Sequence, residues 1–178
     1  MFFVCLAILF CAAGCSVGTT VSNGGLVLTS PAFSDGAGIP AVYSCDGQNT
    51  SPALNWNGVP SGTKSFALIV HDSDAPLTGG FTHWVVFNIP PSASGFEANV
   101  PKQATLNNGA MQGNNGAGNP GYTGPCPPAG APHHYQFRLY ALDRTLSLSG
   151  GATKAQVEAA MNGHILAQAL LTGLYQRA

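Results

Sequence analysis

The run Ser65-Phe66-Ala67-Leu68-Ile69-Val70-His71 is almost wholly apolar and has the length of a strand rather than a helix. A strand without a polar face is buried on both sides, so the rest of the chain must supply packing above and below it. The run ends in His71-Asp72-Ser73-Asp74-Ala75-Pro76, where two acids stand one residue apart. In extended backbone Asp72 and Asp74 point to the same side, and Pro76 biases Ala75 toward extended geometry. Carboxylates that close invite a proton, a cation or a histidinium.

Such a pair is conspicuous because charge is scarce. Charged residues make up 7% of the 178-residue chain, against about 25% in average proteins. The formal net charge is −1, and no basic cluster exists to follow a phosphate backbone, which argues against a nucleic-acid partner. Solubility then rests on Asn, Gln, Ser, Thr and Gly.

The start, MFFVCLAILFCAAGC, is apolar and closes on small residues and a cysteine. It is similar to a bacterial lipoprotein signal, with Ala12-Ala13-Gly14 before Cys15 as the lipidated residue, although no Lys or Arg precedes the apolar run. The run is shorter than the ~20 residues of a spanning helix. The expectation is therefore a leader over 1–14, a small polar tether over 15–25, and one domain over 26–178. This describes an exported lipoprotein on the periplasmic side of a membrane or at the cell surface, held by a lipid anchor. Cys45 and Cys126 would then sit in an oxidising compartment, where a disulfide is one reading and two buried thiols the other.

Short strands are expected at 26–29, 41–44 and 53–56, with a weaker one at 102–108. A second strong strand covers 82–89. Alternation there places His83, Val85, Phe87 and Ile89 on one face and Trp84, Val86 and Asn88 on the other. Residues 109–132 are mostly Gly, Asn, Pro and Ala, a loop long enough to suggest that it lines a site. In the strand that follows, His133, Tyr135, Phe137 and Leu139 share one face, and His134, Gln136, Arg138 and Tyr140 the other. Thr153 and Gln156 form a capping box for a short helix stopped by Asn162-Gly163. Residues 164–172 fit either a helical continuation or a strand, and we read a strand. The class is mainly β, two packed sheets with a helix at the edge.

The motifs then identify a family. Ser51-Pro52-Ala53-Leu54-Asn55-Trp56, the Asp72-x-Asp74-Ala75-Pro76 box and His83-Trp84-Val85-Val86-Phe87-Asn88-Ile89-Pro90 resemble the phosphatidylethanolamine-binding proteins, in their bacterial Raf-kinase-inhibitor-like branch. So do Gly121-Tyr122-Thr123-Gly124-Pro125-Cys126-Pro127-Pro128, His133-x-Tyr135 and Tyr140-Ala141-Leu142-Asp143. The resemblance implies an antiparallel β-sandwich with a short C-terminal helix and a small anion pocket at one end. It implies Asp72, Asp74, His83, His133 and Tyr135 as the pocket residues, and a cis Ala75–Pro76 bond. Two departures stand out: Ser73 replaces the proline usual between the aspartates, and His134 replaces the arginine usual after the second histidine. Losing that arginine leaves imidazolium as the source of positive charge, which makes anion binding pH-dependent.

The function expected is an exported ligand-binding module for phosphorylated or carboxylate head groups, with no cofactor and no catalysis. An inhibitor-like protein-interaction role is the alternative. Two acids and two histidines also suit a divalent metal, but no compact ligand spacing such as H-E-x-x-H occurs. A hydrolase built on Ser73 lacks the G-x-S-x-G elbow.

Overall fold

The computed structural model describes residues 25–177. The expected leader, the Cys15 lipidation site and the tether up to residue 24 lie outside the described residues. Eight strands and one helix follow in order: β1 Val27–Thr29, β2 Leu54–Asn57, β3 Ser65–Asp72, β4 Phe81–Ile89, β5 Gly95–Phe96, β6 Met111–Gln112, β7 His133–Leu142, α1 Lys154–Met161 and β8 Ile165–Tyr175. They form a three-stranded sheet, β1-β2-β5, and a five-stranded sheet, β6-β4-β3-β7-β8. All strand pairings are antiparallel. The class is mainly β, two sheets with one short helix, as the sequence led us to expect.

β3 occupies the middle of the large sheet, bonded to β4 on one side and β7 on the other. Its apolar run serves two cores. Phe66, Leu68 and Val70 join Trp84, Val86, Phe137 and Leu139 against Leu28, Leu54 and Trp56 of the small sheet. Ala67 and Ile69 face the opposite way, with Val85, Phe87, Tyr140 and Leu142, under Val157 and Met161 of α1 and Leu146 of the preceding loop. Each large side chain so buried contributes roughly 1.5–3 kcal/mol. Trp84, fully buried, donates its indole N–H to Gln112 Oε1 at 2.6 Å, so its one polar atom is satisfied.

α1 begins with the capping box read from the sequence, Thr153 accepting from the Gln156 N–H and the Gln156 side chain accepting from the Thr153 N–H. Residues 165–175 are a strand, and the faces of β7 alternate as expected.

Four expectations are corrected. Residues 41–43 form a 3-10 turn instead of a strand, and the weak strand at 102–108 is instead a short ladder at 111–112. Ile89 packs with Trp84 and Val86 in the core between the sheets, not with Val85 and Phe87. The cause is a bulge: β3 advances two residues from Phe66 to Leu68 while β4 covers three, from Ile89 to Val86. Asn88 absorbs it at φ 54°, a left-handed conformation that Asn tolerates, and its amide exchanges bonds with the Leu146 backbone at 2.7 and 2.9 Å. Last, Ala75–Pro76 is trans, because the described backbone contains no cis peptide bond. The chain reverses through hydrogen-bonded turns instead, Leu77 N–H to Ala75 O at 2.7 Å and Gly80 N–H to Leu77 O at 2.9 Å. Gly80 sits at φ 74°, where a side chain would collide with the Asp72 carbonyl.

Candidate functional site

A cavity of ≈ 390 Å³ opens at one end of the large sheet, where β3 finishes and β4 and β7 begin. Asp72, His83, His133 and Tyr135 line it, and the registers show why. Asp72 pairs with Phe81 on one side and Tyr135 on the other, so the three strand ends arrive together.

A second bulge places His83. Val70 pairs with Trp84 and His71 with Thr82, which leaves His83 without a partner on β3. Strict alternation would set it beside Val85 and Phe87. With the bulge, its ring instead stands edge-on to Tyr135, centroids 5.0 Å apart, and to Phe81 at 4.8 Å. A bulge that re-aims a side chain at a site is a recurrent use of the extra residue.

Asp72 is buried, with its carboxylate fully engaged. Oδ1 accepts from the backbone N–H groups of Asp74 at 2.8 Å and Ala75 at 3.1 Å, and Oδ2 faces His133 Nδ1 at 2.7 Å. A buried carboxylate needs such partners to offset its lost hydration. It orients the His133 ring. Because Nδ1 is committed to Asp72, Nε2 is the nitrogen His133 has left for a ligand.

His83 is held differently. Its Nδ1 lies 2.7 Å from the Thr123 carbonyl, and the Thr123 N–H donates to the His83 carbonyl at 2.9 Å. A carbonyl only accepts, so Nδ1 carries the proton. Burial pushes the pKa of His83 down to about 4, against smaller upward effects of the Thr123 carbonyl and the Asp72 charge. His83 is therefore a neutral imidazole at physiological pH, whereas its sequence suggested a cationic one. Tyr135 completes the group. Its hydroxyl is buried and, among the described residues, meets no partner in hydrogen-bonding geometry; burial first, then the charge and close approach of the Asp72 carboxylate, raises its pKa. A buried donor left unbonded costs about 1–3 kcal/mol, and this one belongs to a residue of the cavity wall.

Asp74 is placed elsewhere. It does not line the cavity; its Oδ2 accepts from the backbone N–H of His134 at 2.8 Å and faces His134 Nδ1 at 2.7 Å, out in solvent. Those two bonds hold its carboxyl below the usual range. The His134 ring thus ties the loop after β3 to the start of β7 and points away from the His133 side, as alternation predicts. Ser73 is likewise not a lining residue.

The 109–132 segment supplies the rest of the wall through Thr123, Gly124, Cys126, Pro127 and Pro128. It is stapled to the 41–49 segment by a Cys45–Cys126 disulfide, S–S 2.07 Å and Cα–Cα 5.4 Å. Cys45 N–H also bonds Pro125 O at 3.0 Å, and Gly124 N–H bonds Asn49 Oδ1 at 2.6 Å. A side chain at Gly124 would run into the Tyr43 carbonyl, so glycine permits the close approach. Ala75, Pro76, Leu77 and Phe81 complete an otherwise apolar lining. Sequence reading passed over Phe81 and Thr123; Phe81 stands two residues before His83, and Thr123 lies inside a quoted motif. Among the described residues no group of three or more His, Cys, Asp or Glu side chains is arranged to hold a metal ion.

Comparison with known proteins places the fold. The model of the phosphatidylethanolamine-binding protein family matches residues 29–176. A UPF0098 protein of Methanothermobacter thermautotrophicus is 54% identical over 150 residues, covering 84% of this chain and 98% of that protein. The crystal structure of Escherichia coli YbcL, described as a new member of the mammalian PEBP family, superposes with a TM-score of 0.81 at 36% identity, over 86% of this chain and 99% of that one. The phosphatidylethanolamine-binding protein homologue CT736 of Chlamydia trachomatis gives a TM-score of 0.78 at 44% identity, over 87% and 99%. The chain belongs to the phosphatidylethanolamine-binding protein family.

Proposed function

We propose that the protein is an exported, lipid-anchored binding module whose cavity takes a small phosphorylated or carboxylate ligand. The observation that carries this reading is the unpartnered, buried Tyr135 hydroxyl in a wall that also holds the Asp72–His133 pair. A donor kept dry and unbonded is complementary to an acceptor that arrives with a ligand. His133, oriented by Asp72 through Nδ1, has Nε2 left to meet a ligand oxygen, and Asp72 is already engaged by the Asp74 and Ala75 N–H groups, so it does not repel an incoming anion as a bare carboxylate would. Pro76, Leu77, Phe81, Pro127 and Pro128 give the ligand's remainder an apolar surround.

Calorimetry with phosphoethanolamine tests the reading. His133→Ala should weaken binding by roughly 1.5–3 kcal/mol, the range for a hydrogen bond to a charged group. An affinity that survives that substitution would overturn the assignment of His133 as a ligand contact. The anchor is tested separately: mass spectrometry of protein from native membranes should find a diacylglyceryl group on Cys15, and an intact Met1 on the mature chain would end that part.

A further inference from the structure

We propose that the site selects a singly protonated oxyanion: His83 Nε2 accepts a hydrogen bond from a P–OH of the ligand, while Tyr135 and His133 donate to its charged oxygens. This rests on the binding reading above and names the form of the ligand that the cavity prefers.

The Thr123 carbonyl, 2.7 Å from His83 Nδ1, fixes the imidazole proton on that nitrogen. Nε2 of a neutral imidazole is then a lone pair, able to accept and unable to donate. Among the described residues the Thr123 carbonyl is the one partner of the ring in hydrogen-bonding geometry, the Gly124 backbone adding only a minor upward effect on its pKa, and the ring is held edge-on by Phe81 and Tyr135. The titratable groups facing it are His71 and Asp72 from β3 and Tyr135 from β7, with His133 of β7 lining the same cavity. The loop from Thr123 to Pro128 adds none, because Cys126 is in the disulfide. Burial outweighs the Asp72 charge and pushes the His83 pKa down to about 4, which leaves the ring unprotonated at neutral pH.

The wall therefore offers two donors, the Tyr135 hydroxyl and His133 Nε2, and one acceptor, His83 Nε2. A fully deprotonated phosphate would set an oxygen lone pair against the lone pair of His83. A phosphomonoester monoanion carries both complements on one phosphorus: charged oxygens for the donors and one hydroxyl for the acceptor. Its second proton leaves near pH ~6, so the preferred form is abundant only in mildly acidic solution.

The test compares methyl phosphate with methyl sulfate, binding each to the full chain by calorimetry. At about pH 5.5 the two ions are alike in shape and in charge of −1, and only methyl phosphate has the hydroxyl. Methyl phosphate should bind at least about tenfold tighter, a difference of about 1.4 kcal/mol, and the ratio should shrink toward about pH 8. His83→Asn keeps a donor for the Thr123 carbonyl, lacks Nε2, and should bring the two ligands to equal affinity. Should that variant not fold, the wild-type ratio and its pH course decide alone. Equal binding of the two ions by wild type, or a preference that persists in His83→Asn, would overturn selectivity while leaving the binding reading intact. Binding of neither ion at any pH would overturn both.

Discussion

Asp72 and His133 stand 61 residues apart in the chain, yet Oδ2 of the one lies 2.7 Å from Nδ1 of the other. The aspartate side chain is 4% exposed and the histidine 14%. The contact follows from sheet order: β3 is flanked by β7, and the pairing of Asp72 with Tyr135 sets His133 just beyond the shared end. Asp72 also closes the turn after β3 through two backbone N–H groups, so one carboxylate shapes the loop and orients the imidazole.

That double duty makes Asp72→Asn informative. An amide presents one oxygen where the carboxylate presents two, so it cannot accept from Asp74, Ala75 and His133 together. Urea unfolding should show a loss of roughly 1.5–3 kcal/mol, and phosphate binding should weaken at the same time. Unchanged stability would mean that the turn holds without the carboxylate.

Tyr135→Phe should separate stability from binding. The buried hydroxyl meets no partner in hydrogen-bonding geometry among the described residues, so removing it should leave the ligand-free protein as stable or more stable, by up to about 1–3 kcal/mol. Ligand affinity should nevertheless drop. A variant that is destabilised when ligand-free would show that the hydroxyl is satisfied in the protein itself, and would remove the observation on which the proposed function rests.

The disulfide closes a separation of 81 residues, worth about 4.5 kcal/mol in the chain-entropy model. Both cysteines are exposed, and the loop they staple carries Thr123, the partner of His83. Cys45→Ser with Cys126→Ser should therefore lower the unfolding free energy and also weaken ligand binding, measured by denaturation and calorimetry on the same sample. Full-strength binding in a destabilised double variant would show that the loop holds its place through its hydrogen bonds alone.

Much of this arrangement was legible in the residues because the determinants are local. The apolar run at 65–71 announces a central strand, alternation assigns the faces of β7, and Thr153 with Gln156 announces the start of α1. What escaped depends on how strands meet. Neither bulge of β4 leaves a mark in a pattern of alternating residues, so the faces of His83 and Ile89 were misread. The same bulge brings His83 to Tyr135, a neighbour that counting by two would deny it. Asp72 and Asp74 look equivalent in extended backbone, but the chain turns between them. One carboxylate ends inside against His133 and the other outside against His134. The protonation state of His83 was also out of reach, since it follows from burial and from one carbonyl 40 residues away.

That protonation state gives the last prediction, one on stability. His83 has an ordinary pKa of 6.5 when unfolded and about 4 when folded. Between these values the unfolded chain binds the proton and the folded protein refuses it. Stability is therefore complete above pH ~6.5 and declines as pH falls toward ~4, below which the loss is constant. A shift of this size corresponds to roughly 3 kcal/mol at full extent. Asp74 acts in the same direction, because its folded carboxyl is held low by His134, but it is exposed and its share is screened. Denaturant unfolding of wild type and His83→Asn across about pH 4 to 7 isolates the histidine, since the variant cannot titrate there. The wild-type curve should fall away from that of the variant as the solution is acidified, by up to roughly 3 kcal/mol. Parallel curves would mean that His83 takes up a proton in the folded state as readily as in the unfolded one. In that case the neutral acceptor at the cavity wall would be lost as well.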